Sequence, residues 1–191
     1  MKLCCAGGGK KAGVDQWSDL SSAAYTGNVS RMMQQLNSGI SINTTDENGL
    51  TPMHRAAQSG SFEAMQFLLK HGANPRSLAK NGDTPLHIAA FHRNAQVVRY
   101  LLETDAKKDI NKQNTDHGMT PLHVAVYRGS PEIVDLLLGA GADPDILAKG
   151  QTAVNLAEFW DRQESQGRSS PSAKHHDTLV LLQSRLRKET M

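Results

Sequence analysis

The sequence predicts an all-α solenoid of stacked helix–turn–helix units with β-hairpin fingers between them. Three observations predict it. The tetrad Thr51-Pro52-Met53-His54 returns as Thr84-Pro85-Leu86-His87 after 33 residues and as Thr120-Pro121-Leu122-His123 after a further 36; it returns weakened as Thr152-Ala153-Val154-Asn155 after 32 more. The pair Leu68-Leu69 comes back in the same register as Leu101-Leu102 and Leu137-Leu138. A Gly-Ala turn follows at Gly72-Ala73 and again at Gly141-Ala142. A period of this length marks an array of supersecondary units, none able to bury its apolar stripe alone.

Five units fit, at about 15–47, 48–80, 81–115, 116–148 and 149–188, with a basic tail at 1–14 before them and 189–191 after. The first is degenerate: Ala23-Ala24 and Gly27 stand 33 residues before Ala56-Ala57 and Gly60. In the clear units Thr suits the N-cap, and Pro is tolerated in the first turn because its missing N–H had no helical partner. The first helix then reaches a small Ala-Ala pair and is stopped by Gly60 or Gly129. A second helix carries apolar residues at helical spacing, as in Phe62, Met65, Leu68 and Leu69, or Ile133, Val134, Leu137 and Leu138. Gly72-Ala73-Asn74-Pro75 and Gly141-Ala142-Asp143-Pro144 supply the turn chemistry that leads to the next finger.

The Thr-Pro-Leu-His signature, the 33-residue period, the Leu-Leu pair and the Gly-Ala turn resemble the ankyrin repeat over roughly residues 15–188. The resemblance implies a curved stack with fingers along one side and a protein-binding role. It also implies that His54, His87 and His123 make structural hydrogen bonds to the Thr and to neighbouring backbone. Departures fall at the ends. The first unit reads Ser18-Asp19-Leu20-Ser21, and the last lacks both Pro and His, as terminal capping units of a solenoid do.

Composition narrows the function. Lys and Arg number 21 against 19 Asp and Glu, a net charge of +2, which gives no chain-wide reason to bind nucleic acid or acidic lipid. The charge is uneven: residues 1–13 hold three lysines and no acid, 162–191 hold six bases against three acids, and 14–161 hold 12 against 16. No apolar run reaches the roughly 18 residues of a membrane span. The only two cysteines, Cys4 and Cys5, are adjacent, which argues against a disulfide framework and for a reducing, intracellular setting in cytoplasm or nucleus.

No catalytic, cofactor or metal constellation emerges, so the chain reads as a non-enzyme without a cofactor. His54, His87 and His123 fall one per unit, and stacked helices about 8–10 Å apart cannot converge on one ion. His175-His176-Asp177 reads as a solvated helix start, and Gly7-Gly8-Gly9-Lys10-Lys11 lacks the spacer and Ser/Thr of a phosphate loop.

Aligned column by column, the position after the second Ala reads Tyr25, Gln58, Phe91, Tyr127 and Phe159: four aromatics, in a chain with nine. The next column reads Thr26, Ser59, His92, Arg128 and Trp160. In ankyrin-like stacks these columns lie toward the concave face, so Tyr25, Phe91, Tyr127, Phe159 and Trp160 are the expected anchors for a protein partner, with His92 and Arg128 as polar neighbours. The competing reading places the rings in the core. The column before the Thr reads Trp17, Leu50, Asp83, Met119 and Gln151. Leu50 and Met119 are expected at exposed finger tips as extensions of the same surface, and Trp17 as a staple over the open end.

Two insertions break the period. One falls within Thr104-Asp105-Ala106-Lys107-Lys108-Asp109, where a changed finger can select a partner; the other, 162–175, separates the two helices of the last unit. Within it, Ser170 precedes Pro171 in a basic stretch and is a phosphorylation candidate. Cys4 and Cys5 beside Lys2, Lys10 and Lys11 are candidates for palmitoylation, the one route to membrane attachment. The sequence therefore reads as a monomeric adaptor, scaffold or occluding inhibitor. The rivals are a membrane-anchored scaffold and a transcription-complex regulator acting through protein contacts.

Overall fold

Thr84, Thr120 and Thr152 share one job: each stands in extended backbone and accepts a hydrogen bond from the N–H three residues on, starting a helix. The resulting helices are α5 (Pro85–Phe91), α7 (Pro121–Tyr127) and α9 (Ala153–Ser165). Thr51 stands likewise before α3 (Pro52–Ser59), and α1 (Asp19–Thr26) precedes them all. In this computed structural model, residues 19–167 and 174–189 are described. Each inner helix is followed by an outer one: α2 (Val29–Asn37), α4 (Phe62–Lys70), α6 (Ala95–Leu102), α8 (Pro131–Gly139) and α10 (His175–Glu189).

The inner helices stack in chain order, α1 on α3, α3 on α5, α5 on α7 and α7 on α9, with each outer helix on its own inner partner. The small residues make that stacking possible. Ala23, Ala24, Ala56, Ala57, Ala89, Ala90 and Ala125 are all fully buried, and so are Leu68, Leu101 and Leu137 of the outer helices. One contiguous core runs the length of the stack, filled from the Ala and Leu columns. The stack is an all-α solenoid.

The fingers differ from the expected β-hairpins. Among the described residues they hold no strand, only an isolated bridge between Ala148 and Gln151. Each is a tight turn closed by one or two bonds: Asp46 N–H to Leu50 O at 3.1 Å, Ala79 N–H to Asp83 O at 2.9 Å, and Asn114 N–H to Met119 O at 2.9 Å. Adjacent fingers join through Lys80 N–H to Asn48 O and Thr115 N–H to Asn81 O, both 2.9 Å.

Finger packing corrects the expectation for Leu50 and Met119. Each is only 5% exposed. Leu50, Asp83 and Met119 are buried where successive fingers join, and the carbonyls of Asp83, Met119 and Gln151 each take a bond from the preceding unit's histidine. The Asp83 carboxylate accepts from Asn81 Nδ2 at 2.6 Å and Asn114 Nδ2 at 2.9 Å. Gln151, in the last finger among the described residues, is exposed.

The insertions also resolve. Thr104 caps a short 3₁₀ helix (Asp105–Asp109) that packs on α6 and buries Ala106; Asp109 takes a bidentate pair from Arg76 of the preceding unit at 2.8 and 2.9 Å. In the last unit α9 runs on to Ser165 and α10 starts at His175, so the break between the two helices is shorter than the expected 162–175.

Candidate functional site

The expected aromatic column sits at the C-terminal ends of α1, α3, α5 and α7, just past the small residues, and in the middle of the longer α9. Tyr25 and Phe159 are 39% and 46% exposed; Phe91, Tyr127 and Trp160 are half-buried against the edge of the core. The rings are therefore neither core residues nor a free-standing ladder.

The structure gathers part of the set. Tyr127 and Trp160 meet edge to face at 5.3 Å, as do Phe159 and Trp160. Phe91 packs edge-on against His92 at 5.2 Å, and the Arg128 guanidinium lies 4.7 Å over the Phe91 ring. Phe91, His92, Tyr127, Arg128, Phe159 and Trp160 thus line one edge of the stack across α5, α7 and α9. Tyr25 stands apart on α1, beyond the α3 unit where the column is Gln58, whose Oε1 accepts from Arg55 Nη1 at 2.8 Å. Arg55 in turn pairs with Asp46.

His175 is corrected from a solvated helix start to a buried one. Its side chain is 3% exposed and stacks on Trp160 at 5.6 Å, and its Nε2 lies 3.2 Å from Tyr127 O. Its N–H donates to Glu164 at 3.0 Å. Spacing gave no sign of this, because the contact closes between helices separated by the 168–173 stretch. His176 is exposed and faces Asp161.

The signature histidines act in structure. His54 Nδ1 accepts from the Thr51 N–H at 3.1 Å and hydroxyl at 2.9 Å, which leaves Nε2 protonated to donate to Asp83 O at 3.1 Å. His87 repeats this toward Met119 O at 3.1 Å and His123 toward Gln151 O at 3.3 Å. Burial pushes the His54 imidazole down to about 4 and lowers His87 and His123 as well. Asn155 keeps the cap, its Oδ1 accepting from Thr152 N–H and Oγ1, and among the described residues there is no further finger for a second nitrogen to reach.

Among the described residues no group of His, Cys, Asp and Glu is arranged to hold a metal ion, and no helix is long and apolar enough to cross a membrane. Cys4, Cys5, Trp17 and Ser170 lie outside the described residues.

The family model for ankyrin repeats (3 copies) matches residues 20–114, 80–148 and 106–165, most of the chain. The chain is an ankyrin-repeat protein. No curated protein matches it. Ankyrin repeats generally serve as protein-interaction modules and are typically non-enzymatic.

The ankyrin-repeat fold also exposes residues that the columns did not mark. Leu78 and Leu147, immediately before Ala79 and Ala148 in the fingers, are 49% and 56% exposed. They, rather than Leu50 and Met119, are the apolar residues the fingers present. The signal lay in finger phase: the residue before the Thr turns inward, and the one at the start of the turn faces out.

Proposed function

We propose that this ankyrin-repeat protein is a non-catalytic adaptor, scaffold or occluding inhibitor that binds a protein partner along the concave edge formed by the ends of α5 and α7 and the middle of α9. Phe91, Tyr127, Phe159 and Trp160 are its anchors, His92 and Arg128 its polar neighbours, Tyr25 an outlying contact, and Leu78 and Leu147 the finger contacts. It works as a monomer in the cytoplasm or nucleus.

The observation that carries the reading is the ring cluster itself. Tyr127, Phe159 and Trp160 meet across two units, and Phe91 joins them through Arg128 of the Tyr127 unit, at an edge where the Ala and Leu columns already fill the core. Half-exposed rings on a rigid scaffold offer contact area at small entropic cost.

The test is affinity capture from native lysate with the full chain, set against a Phe91→Ala, Tyr127→Ala, Phe159→Ala variant whose cooperative unfolding is first checked by circular dichroism. Trp160 is left intact because it packs on His175. Specific partners lost by a folded variant support the reading; the same partners retained by a folded variant sink it.

A further inference from the structure

The four positions that close the inner helices of the first four units are Gly27, Gly60, Arg93 and Gly129. All four have left-handed backbone, with φ of 71°, 78°, 61° and 59°. Glycine adopts that conformation freely, whereas a residue with a Cβ meets its own carbonyl. The third unit alone places a side chain there, and it is a guanidinium. Strain held at one member of a repeat, where the other units avoid it, points to a use for that side chain.

Arg93 does not act alone. Its Nη2 donates to the carbonyl of Arg128, one unit further on, which brings the side chain across the gap to the residue that carries the second guanidinium. Arg128 makes no ion pair among the described residues, and its Nε is buried without a hydrogen-bond partner. His92, the C-cap of α5, packs edge-on against the Phe91 ring that Arg128 covers, in the same cluster. Burial, and after it the charge of Arg128, lowers the proton affinity of both His92 and Arg93, as expected of cations crowded together. The surrounding body, residues 14–161, is net acidic, with 12 bases against 16 acids.

One alternative use is structural. Cations at helix C-termini suit the helix dipole, and the Arg93 bond satisfies a terminal carbonyl. That accounts for one arginine bound to backbone. It does not account for a second guanidinium without an ion pair, close enough to lower the proton affinity of the first, nor for abandoning the glycine.

Resting on the protein-binding reading above, we propose that Arg93 and Arg128, with His92 beside them, form a carboxylate-recognition element that takes an acidic segment of the partner, its Asp or Glu seated on the arginines and an apolar neighbour on Phe91 and Tyr127. Guanidinium forks match carboxylates bidentately, and an incoming carboxylate relieves the repulsion between the two arginines. The arginine pair disfavours a basic segment at this place by like-charge repulsion.

Selection of phage-displayed random 12-residue peptides on the full chain tests this, followed by fluorescence anisotropy of the enriched peptides on wild type, Arg93→Gly, Arg128→Gln and Tyr127→Ala. The expected result is peptides with Asp or Glu next to an apolar residue, whose affinity falls tenfold or more on each arginine variant and weakens with salt, while Arg93→Gly melts at the same temperature as wild type or higher. A lower melting temperature for Arg93→Gly overturns the proposal, since the bond to Arg128 then outweighs the strain and a structural role suffices. Acidic peptides that bind both arginine variants unchanged overturn it too. So does a single-stranded oligonucleotide that binds more tightly than the peptides through the same two arginines. Neutral peptides that lose affinity only on Tyr127→Ala overturn the acid preference and leave the protein-binding reading standing. A selection that enriches nothing overturns recognition of a segment, and the lysate capture then judges the broader reading separately.

Discussion

The imidazole Nε2 of His87 donates to the carbonyl oxygen of Met119 at 3.1 Å, across the boundary between the third and fourth units. The other nitrogen accepts from the N–H and hydroxyl of Thr84. One ring therefore caps its own helix and ties it to the next finger, and the two bonds together choose its tautomer. Replacing His87 with Ala leaves Thr84 N–H buried and unpaired, strips Met119 O of its inter-unit bond while the one from Asn114 N–H remains, and empties the ring's buried site, so it should destabilise the stack by about 3 kcal/mol in urea unfolding. His87→Asn reproduces the arrangement at Asn155 and should lose only the inter-unit half, at roughly 1–2 kcal/mol. Equal losses for the two variants would refute this division of labour.

The same histidines make stability fall in mild acid. Each is held below its ordinary value by burial, so the unfolded chain binds protons that the folded chain refuses. Unfolding free energy therefore rises with pH in this range, and it is lost as pH falls from about 6.5 toward about 4, the value for His54. His54 alone accounts for roughly 3 kcal/mol by that interval. Chemical denaturation at pH 7.5, 6 and 5 checks it. A midpoint independent of pH across that window would contradict the neutral, tautomer-locked histidines.

Met119 is a packing residue, so Met119→Ala should cost about 2–4 kcal/mol through the cavity it leaves. Partner capture by the folded fraction should be unchanged. Leu147→Ser on the exposed side of the fingers should do the reverse, with stability within about 0.5 kcal/mol of wild type and weaker capture. A reversed pattern would restore the simpler picture in which every finger position faces out.

His175 anchors α10. His175→Ala removes its buried ring from Tyr127 O and from the face of Trp160, and should lower stability by about 2–3 kcal/mol. Emission of Trp160, read in a Trp17→Phe background, should move to longer wavelength as that side of the indole opens to water. Faster amide exchange confined to α10 would show the same loosening. An unmoved spectrum and unmoved exchange would mean that α10 is held by its apolar face alone.

Much of the architecture was legible because a repeat states its rules several times. Thr with His three residues later, the Ala pair and the Leu pair are local or near-local requirements, and their recurrence in register at Thr51, Thr84 and Thr120 leaves one way to stack them. The N-caps, the inner and outer helices, the buried Ala and Leu columns and the structural role of the histidines all follow from those residues. Tertiary packing decided what the column pattern could not. A column lists which residues are equivalent without saying which way they face, so Leu50 and Met119 looked like surface until the next finger covered them. A contact between helices on either side of an insertion leaves no periodic trace, so the seating of His175 on Trp160 was invisible. Arg93 carries the same lesson at the level of backbone. The sequence shows an Arg where its sister units have Gly, but only the chain geometry shows that the position is left-handed and that the strained side chain crosses to Arg128. Period and capping are written in the order of residues, whereas facing, covering and strain arise only when one unit closes against the next.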